Sequence, residues 1–351
     1  MQDDLIYRRI TTKRHLYKSK RRKNHASRLK HYKNRAKAYR SNIVRPTLTY
    51  GDFTAPITFS ITDNRDETIS YLKSVDRSLN QKLYSRMDFT NTEYTDLPTI
   101  CLLSTYMLDG NTNAKYLEVR IPPKSSPARK IWDEVQFEQM VVRKQRGNFK
   151  SGRFLSRSFN EVDLDAIESV VEAAITYFGS DKASELTTKL PPLMVEMMEN
   201  TAFHADPYKQ SRRPWIINTH TGAESGLLEM EFCIVDVGVG VYQSIKNNVS
   251  KWNTRRSKIM HRLSQALDNS STQSKFLAEN IPKGVGSSSN EVSRGKGIRY
   301  LHDKVSSDTM YSLFDIITNK AHVHLKDLDL IEKDSKENMS ATIYHWKVYF
   351  K

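Results

Sequence analysis

The sequence predicts an α/β protein in which a basic tail (residues 1–45) and a small α/β domain (46–145) precede an α/β sandwich (155–351). Strand-like runs alternate with helices from residue 46 to about 150, whereas a second order, two helices and then a strand pair, begins near residue 160. The 38% hydrophobic content is typical of globular structure. A chain of 351 residues is long enough for two domains, each with its own core.

Positive charge is concentrated in the tail. Of the charges that give a net +15, fifteen Lys or Arg lie between residues 8 and 40, without an acid among them. Tyr17, Tyr32 and Tyr39 are interleaved and offer rings for base stacking. The pattern fits two interpretations: a segment that binds RNA or DNA through its phosphates, or a solubilising, non-specific basic arm.

The remaining composition indicates a protein of the cytoplasm with no membrane association. We find no apolar run of the length that spans a bilayer and no secretory signal. Cys101 and Cys233 lie in apolar runs, far from any second Cys or His at metal-ligand spacing. We therefore interpret them as buried thiols.

The first domain is predicted to be a parallel α/β unit, because its strands alternate with helices. Predicted strands cover 55–61, 84–90 and 114–122, and predicted helices cover 65–83, 97–108 and 126–140. The Gly- and Arg-rich stretch 143–153 is the predicted linker to the second domain.

The second domain is predicted to be a mixed sheet covered by helices on one face. Predicted helices near 160–178 and 190–205 precede strands at 213–220 and 227–238. A polar, basic segment, 242–293, separates these strands from the last helix, which "SRGKGIRYLHDKV" opens, and from closing strands at 311–319, 321–327 and 340–350.

The helix "MVEMMENTAFHADPYK" carries polar residues where a core helix would be apolar. Glu196, Asn200 and His204 follow one another at steps of four residues, so they project from one side of the helix, away from the side of Met194 and Met198. Mg²⁺ takes few protein oxygens besides water and phosphate, which suits the Asn200 amide. The Glu196 carboxylate, one turn earlier, suits a general base. His204 fits either a catalytic neighbour or a structural residue.

A second motif, "VDVGVG", ends an apolar strand. Asp236 can accept a hydrogen bond from an exocyclic amine such as N6 of adenine. Gly238 and Gly240 allow the backbone to approach a base or ribose, because they have no Cβ.

A third motif, "SRGKGIRYL", begins a helix. Gly295 and Gly297 expose backbone amides at the helix N-terminus, where a phosphate is favoured. Arg294 and Lys296 add positive charge. The spacing excludes a P-loop, because Lys296 is followed by Gly instead of Ser or Thr.

In this order, the three motifs resemble the N, G1 and G2 boxes of the GHKL superfamily of Bergerat-fold ATPases. The resemblance covers roughly residues 160–351, and "EMMENTAFHA" is similar to the N box of anti-sigma-factor serine kinases. It implies Mg-ATP as ligand, with Glu196 as general base and Asn200 on Mg²⁺. It further implies that Asp236 reads adenine, that Gly295 and Gly297 contact phosphate, and that segment 242–293 includes a nucleotide lid.

The last strand departs from the GHKL pattern. The family usually has Gly-Thr at its start, whereas this chain has Ala341 and Thr342. By position, Thr342 is still the expected nucleotide contact. No helix with a phosphoaccepting histidine precedes the domain, so a sensor histidine kinase is not indicated.

The first domain resembles the STAS domains of anti-sigma-factor antagonists. "YSRMDFTNTEYTDLPTICLLSTYM" is similar to their central strand, loop and helix, with Asp88 at the strand end. Those antagonists carry a phosphorylatable Ser after the position of Asp96, where this chain has Leu97. The resemblance therefore implies a docking or dimerising module.

Taken together, the motifs predict a Mg-ATP-binding protein, a slow ATPase whose lid changes how the STAS-like domain or the tail engages a protein or nucleic acid. Two alternatives stay open. The same base would activate a serine hydroxyl in a protein-serine kinase, and without hydrolysis the protein would be a nucleotide-sensing adaptor. The domain combination is similar to proteins of bacterial mobile elements or phage defence. A homodimer is also compatible with the sequence.

Overall fold

The structure, a computed structural model, describes most of the chain beyond residue 49. The described residues are 50–80, 84–108, 117–135, 137–138, 154–158, 162–204, 214–224, 227–251, 265, 267, 270–283 and 297–350. The predicted basic tail and the predicted linker 143–153 lie outside them, as do Arg294, Gly295 and Lys296. Residues 50–351 form one compact unit.

The described residues form eight α-helices, of which six were predicted, in this order, and two lie in the predicted lid, where no helix was predicted. Their bounds are α1 (Arg65–Asn80), α2 (Leu97–Leu108), α3 (Arg129–Glu134), α4 (Leu164–Phe178), α5 (Ala183–His204), α6 (Val241–Lys251), α7 (Gln273–Asn280) and α8 (Ile298–Val305). Helix α5 begins seven residues before the predicted start at 190 and continues through Pro191 and Pro192. In the turn before these prolines, Thr187 and Thr188 donate side-chain hydrogen bonds to backbone carbonyls.

The strands form separate parallel and antiparallel sheets. Their bounds are β1 (Tyr50–Thr54), β2 (Thr58–Phe59), β3 (Tyr84–Asp88), β4 (Tyr94–Thr95), β5 (Leu117–Arg120), β6 (Phe154–Ser158), β7 (Pro214–Glu224), β8 (Leu227–Asp236), β9 (Tyr311–Asn319), β10 (Ala321–His324) and β11 (Met339–Phe350). Strands β1, β3 and β5 pair in parallel, in the order β1-β3-β5, which confirms that this part has parallel pairing. The first strand is misplaced in the prediction: β1 precedes the predicted range 55–61, of which only β2 is a strand, and β2 pairs in parallel with β4 in a separate small sheet.

The large sheet has the order β10-β9-β11-β8-β7-β6. All five of its pairings among the described residues are antiparallel, so the prediction of a mixed sheet is wrong. Hairpins join β7 to β8 and β9 to β10, and β11 then inserts between β8 and β9. Strand β6 pairs with the edge of β7 and was not predicted, because its residues directly follow the Gly- and Arg-rich stretch.

One face of the large sheet packs under α4, α5, α7 and α8. Met194 and Met197 of α5 are fully buried there, together with Phe276 of α7. On the sheet itself, the Trp346 ring stacks between those of Phe232 and Phe314, at centroid distances of 5.2 and 5.7 Å. The alternation of strand side chains brings these rings to the same face.

The opposite face of the large sheet is also covered, so helices on one face are an incomplete description. Helix α2 contacts β7, β8 and β11, and Cys101 and Leu102 share a core with Cys233, Val235 and Ile343. The residues of α2 from 97 to 105 are all buried, and the helix has no charged residue. A helix that is apolar all round is stable when both sides are covered, here by its own parallel sheet and by the large one.

Polar contacts also join the first α/β part to the segment before β11. Asp66 accepts hydrogen bonds from the Ser335 hydroxyl at 2.6 Å and from the Lys336 N–H at 2.9 Å. The Lys73 ammonium lies 2.5 Å from the Glu337 carboxylate. The two predicted domains therefore share a core and a polar contact surface within the described residues.

The two acids of the STAS-like segment have structural contacts. Asp88 ends β3, as predicted, and accepts hydrogen bonds from the N–H and hydroxyl of Thr90. Asp96 is buried and accepts from the Thr99 N–H at 2.7 Å, which caps the first turn of α2. Its other oxygen accepts from the Ser60 and Thr62 hydroxyls.

Both cysteines are buried and reduced, which confirms their interpretation as thiols. Cys101 of α2 and Cys233 of β8 interact with each other, and burial raises the pKa of the Cys233 thiol well above its usual value. In the part of the chain that the structure describes, no helix has the length and apolar character needed to cross a bilayer.

Candidate functional site

Helix α5 carries two of the predicted site residues, Glu196 and Asn200, and packs on the large sheet. Its apolar side is anchored by Met194 and Met198, which are buried, as the helical spacing predicted. Glu196 is 6% exposed and Asn200 is half-buried. A buried carboxylate needs hydrogen bonds or a cation to offset its lost hydration, so its surroundings are informative.

The Glu196 carboxylate contacts the start of α8. Its Oε1 accepts a hydrogen bond from the Gly297 N–H at 2.6 Å. Gly297 has φ +68°, a left-handed conformation that favours glycine, and it carries no side-chain cap. The carboxylate therefore satisfies one of the free amides of the helix N-terminus and complements its positive dipole.

Asp236 and Thr342 lie side by side on neighbouring strands. They are register partners in the β8–β11 pairing, and both are buried. Asp236 continues the alternation of Phe232 and Ile234, which places it on the face that α5 covers. The Thr342 hydroxyl is 3.2 Å from that of Thr318.

Tyr344 connects these groups and was missed by the sequence analysis. It is buried on β11, two residues after Thr342, and therefore on the same face. Burial raises the pKa of the Tyr344 hydroxyl well above its usual value, and the charges of Asp236 and Glu196 raise it further, whereas the Asn200 amide acts in the opposite direction. The hydroxyl thus lies within electrostatic reach of three predicted site residues.

The turn after β8 is held by the end of β9. Gly240 has φ +80°, and a Cβ there would lie 2.6 Å from Nδ2 of Asn319. That Nδ2 donates to the Val239 carbonyl at 2.9 Å, and the Thr318 hydroxyl accepts from the Val241 N–H at 2.9 Å. Gly240 is thus required by backbone conformation and close approach.

Of the remaining predicted site residues, the structure describes one and leaves three undescribed. Gly238 is buried in the same turn. Arg294, Gly295 and Lys296 are among the residues that the structure does not describe, and so is half of the predicted lid. The signal that would identify Thr318 and Asn319 is weak, because nothing at the end of "YSLFDIITN" predicts contact with a turn about 80 residues earlier.

The predicted lid, 242–293, includes a segment that belongs to the core. Phe276 and Leu277 of α7, and Ile281 directly after it, are buried against the large sheet. The start of α7 is fixed, because Asp334 accepts hydrogen bonds from the N–H groups of Gln273 and Ser274. Residues 273–281 are therefore structural, and the polar composition around them concealed a short, capped helix.

No family model matches this sequence, and a search of curated proteins found no match either. The case for a function therefore depends on the residues and their geometry.

Proposed function

We propose that this protein binds Mg-ATP at the end of the large sheet, under α5 and the start of α8. The observation that supports the proposal best is the grouping of Glu196, Asp236 and Asn200 around Tyr344, with Gly297 bonded to Glu196. The same residue types, in the same order, carry the resemblance to GHKL ATPases. The resemblance of the first domain to STAS domains is a separate hypothesis, which also depends on residue types and their order.

Asp236 and Thr342 form the proposed adenine contact. A buried carboxylate accepts a hydrogen bond from the exocyclic amine of adenine, and the neighbouring hydroxyl donates to a ring nitrogen. Guanine presents a carbonyl oxygen at the same position, which a carboxylate repels. The site should therefore prefer ATP to GTP, because an unpaired buried charge is costly.

The start of α8 forms the proposed phosphate contact. In the structure, the Glu196 carboxylate already accepts the hydrogen bond from the Gly297 N–H. An anion thus occupies the position that a phosphate oxygen would take. Nucleotide binding then requires Glu196 to release this amide, while Gly295, Arg294 and Lys296 supply further contacts and the Asn200 oxygen holds Mg²⁺.

Release of Glu196 links binding to hydrolysis. The freed carboxylate would accept the proton of a water whose oxygen attacks the γ-phosphorus, as ADP leaves. While Glu196 stays on Gly297, its Oε1 is engaged by that amide, and the amide is closed to a phosphate oxygen. This contact is the observation that favours the alternative, a non-hydrolysing sensor in which nucleotide only moves Glu196.

For partners, we propose nucleic acid through residues 8–40, because of their charge and interleaved tyrosines. Helix α2, the apolar helix of the STAS-like part, is already covered by the large sheet. A protein partner of this part would use another surface.

The experiment incubates the full chain with γ-labelled ATP, with and without nucleic acid. Free phosphate indicates an ATPase, labelled protein indicates a kinase, and intact bound ATP indicates a sensor. Glu196→Gln should retain ATP and lower hydrolysis by about 10²–10⁴-fold. Glu199→Gln, three residues along the same helix, is the matched control. The proposal of ATP binding fails if the wild type retains no ATP, and the adenine contact fails if it retains as much GTP as ATP.

A further inference from the structure

A carboxylate and three imidazoles meet on the face of the large sheet opposite the candidate nucleotide site. Asp315 lies on β9, His322 and His324 lie two residues apart on β10, and His345 lies on β11. His324 and His345 are both register partners of Asp315, from its two neighbouring strands. His345 and Tyr344 are adjacent in a strand, so they face opposite sides.

The cluster is compact and buried. His322 Nε2 is 3.1 Å from Asp315 Oδ2, and His324 Nδ1 is 2.7 Å from Asp315 Oδ1. One ligand atom from each of these three residues lies within 4.8 Å of the others. Asp315, His322 and His345 are each no more than 5% exposed.

The second imidazole nitrogen of His345 provides an independent observation. Its Nε2 is 2.5 Å from the Glu231 carboxylate, so it carries the proton that is donated there. In the neutral ring, Nδ1 then presents a lone pair. Nδ1 is buried and has no hydrogen-bond partner among the described residues, and it faces Asp315 Oδ2 at 3.9 Å.

A lone pair facing a carboxylate is unfavourable unless a cation lies between them. A protonated His345 would supply charge, but 3.9 Å is too long for a hydrogen bond to Asp315. A carboxylate that orients one nitrogen of a histidine while the other binds metal is a common arrangement around zinc. Glu231 and His345 have this arrangement.

We propose that Asp315, His322, His324 and His345 bind a divalent transition metal, with Zn²⁺ as the best fit. Imidazole nitrogens suit Zn²⁺, whereas Mg²⁺ and Ca²⁺ prefer oxygen. Four ligands with no open position form a structural site. Ligands about 2.0–2.2 Å from the ion are separated by about 3.3 Å in a tetrahedron. The ligand atoms of Asp315, His322 and His324 already lie within 4.8 Å of one another, and His345 would complete the set by moving toward them.

The site would join β9, β10 and β11 where the first α/β part covers the sheet. Asp96 of that part contributes to the electrostatic environment of His345, and Glu332 lies 3.4 Å from His324 at the outer end of the cluster. Metal binding would thus stabilise the folded chain, because the unfolded chain does not hold these ligands together. The proposal is independent of nucleotide binding.

The test uses the full chain, freed of metal with a chelator and then exposed to Zn²⁺ or Co²⁺. After gel filtration, the wild type should retain one more Zn²⁺ per chain than His322→Gln or His345→Gln, and zinc should raise its Tm. Subtracting the zinc content of a variant from that of the wild type removes the contribution of zinc bound by the tail histidines. His302→Gln on α8 is the matched control and should behave as wild type. Glu231→Gln should weaken zinc binding by about 10–100-fold.

Co²⁺ provides a readout that does not depend on whether a variant folds. In the wild type it should give the strong visible bands of a tetrahedral site with nitrogen and oxygen ligands. The proposal is overturned if the wild type and both histidine variants retain equal zinc. A weak, octahedral Co²⁺ spectrum in the wild type would overturn it as well.

Discussion

The Glu196 carboxylate and the Gly297 amide lie 2.6 Å apart, although the two residues are separated by about 100 positions in the sequence. This contact joins the helix of the first motif to the helix start of the third. Both motifs were identified separately, and their direct bond is the strongest link between sequence pattern and geometry.

Replacing Glu196 with Ala should destabilise the fold. The change leaves the Gly297 N–H without its acceptor at a buried helix start, which costs about 1–3 kcal/mol. Urea unfolding of the ligand-free protein measures the loss. Glu196→Gln keeps an acceptor oxygen and should lose less. Equal stability of the Ala variant and the wild type would show that the contact contributes nothing.

Gly240→Ala should be destabilising because of Asn319. The added Cβ meets the Asn319 amide, and φ +80° strains any residue with a Cβ. We expect a loss of about 1–3 kcal/mol by chemical unfolding. In the double variant with Asn319→Gly, the clash is absent, so the combined loss should be smaller than the sum of the two single losses. A purely additive result would contradict a direct clash.

Asp66 should make stability depend on pH. Hydrogen bonds from Ser335 and Lys336 hold the pKa of this carboxyl below its ordinary value of 3.8, with the Ser335 bond as the largest cause. The ionised Asp66 carboxylate therefore contributes fully to the free energy of unfolding above about pH 4, and this contribution is lost as pH falls through the lowered pKa. Wild type should exceed Asp66→Asn in Tm at pH 6, and the gap should narrow toward pH 3. A gap that widens on acidification would contradict the assignment.

Cys101 and Cys233 should resist alkylation in the native protein. Both are buried, and the raised pKa of Cys233 keeps its thiol protonated. Thiol titration should detect neither cysteine in the folded chain and both in urea. Since the pair lies between α2 and β8, rapid labelling without urea would show that the first α/β part opens away from the large sheet.

Secondary structure was predicted well where a short stretch of sequence alone determines it. The uncharged stretch 97–108 forms a helix with the predicted bounds, and the apolar strand before "VDVGVG" ends at Asp236. Asp236 and Thr342 became register partners, which their separate positions in sequence do not require.

The features that sequence reasoning missed depend on contacts between distant segments. Period-2 alternation identifies strands but not their pairing, so the antiparallel arrangement was not deducible. The apolar character of α2 indicated burial but not that a second sheet covers it. His322 and His324 alternate on a strand and so share a face, a pattern that the sequence analysis did not use, and Asp315 and His345 join them only through strand register.

The most direct test of the central claim is calorimetric titration of the full chain with Mg-ATP. The account predicts saturable binding by the wild type and binding about tenfold weaker in Asp236→Asn, because a neutral amide is a weaker acceptor than a carboxylate. Asp303→Asn, on the exposed side of α8, should bind as wild type does. No binding by the wild type, or equal affinity in Asp236→Asn, would contradict the proposed site.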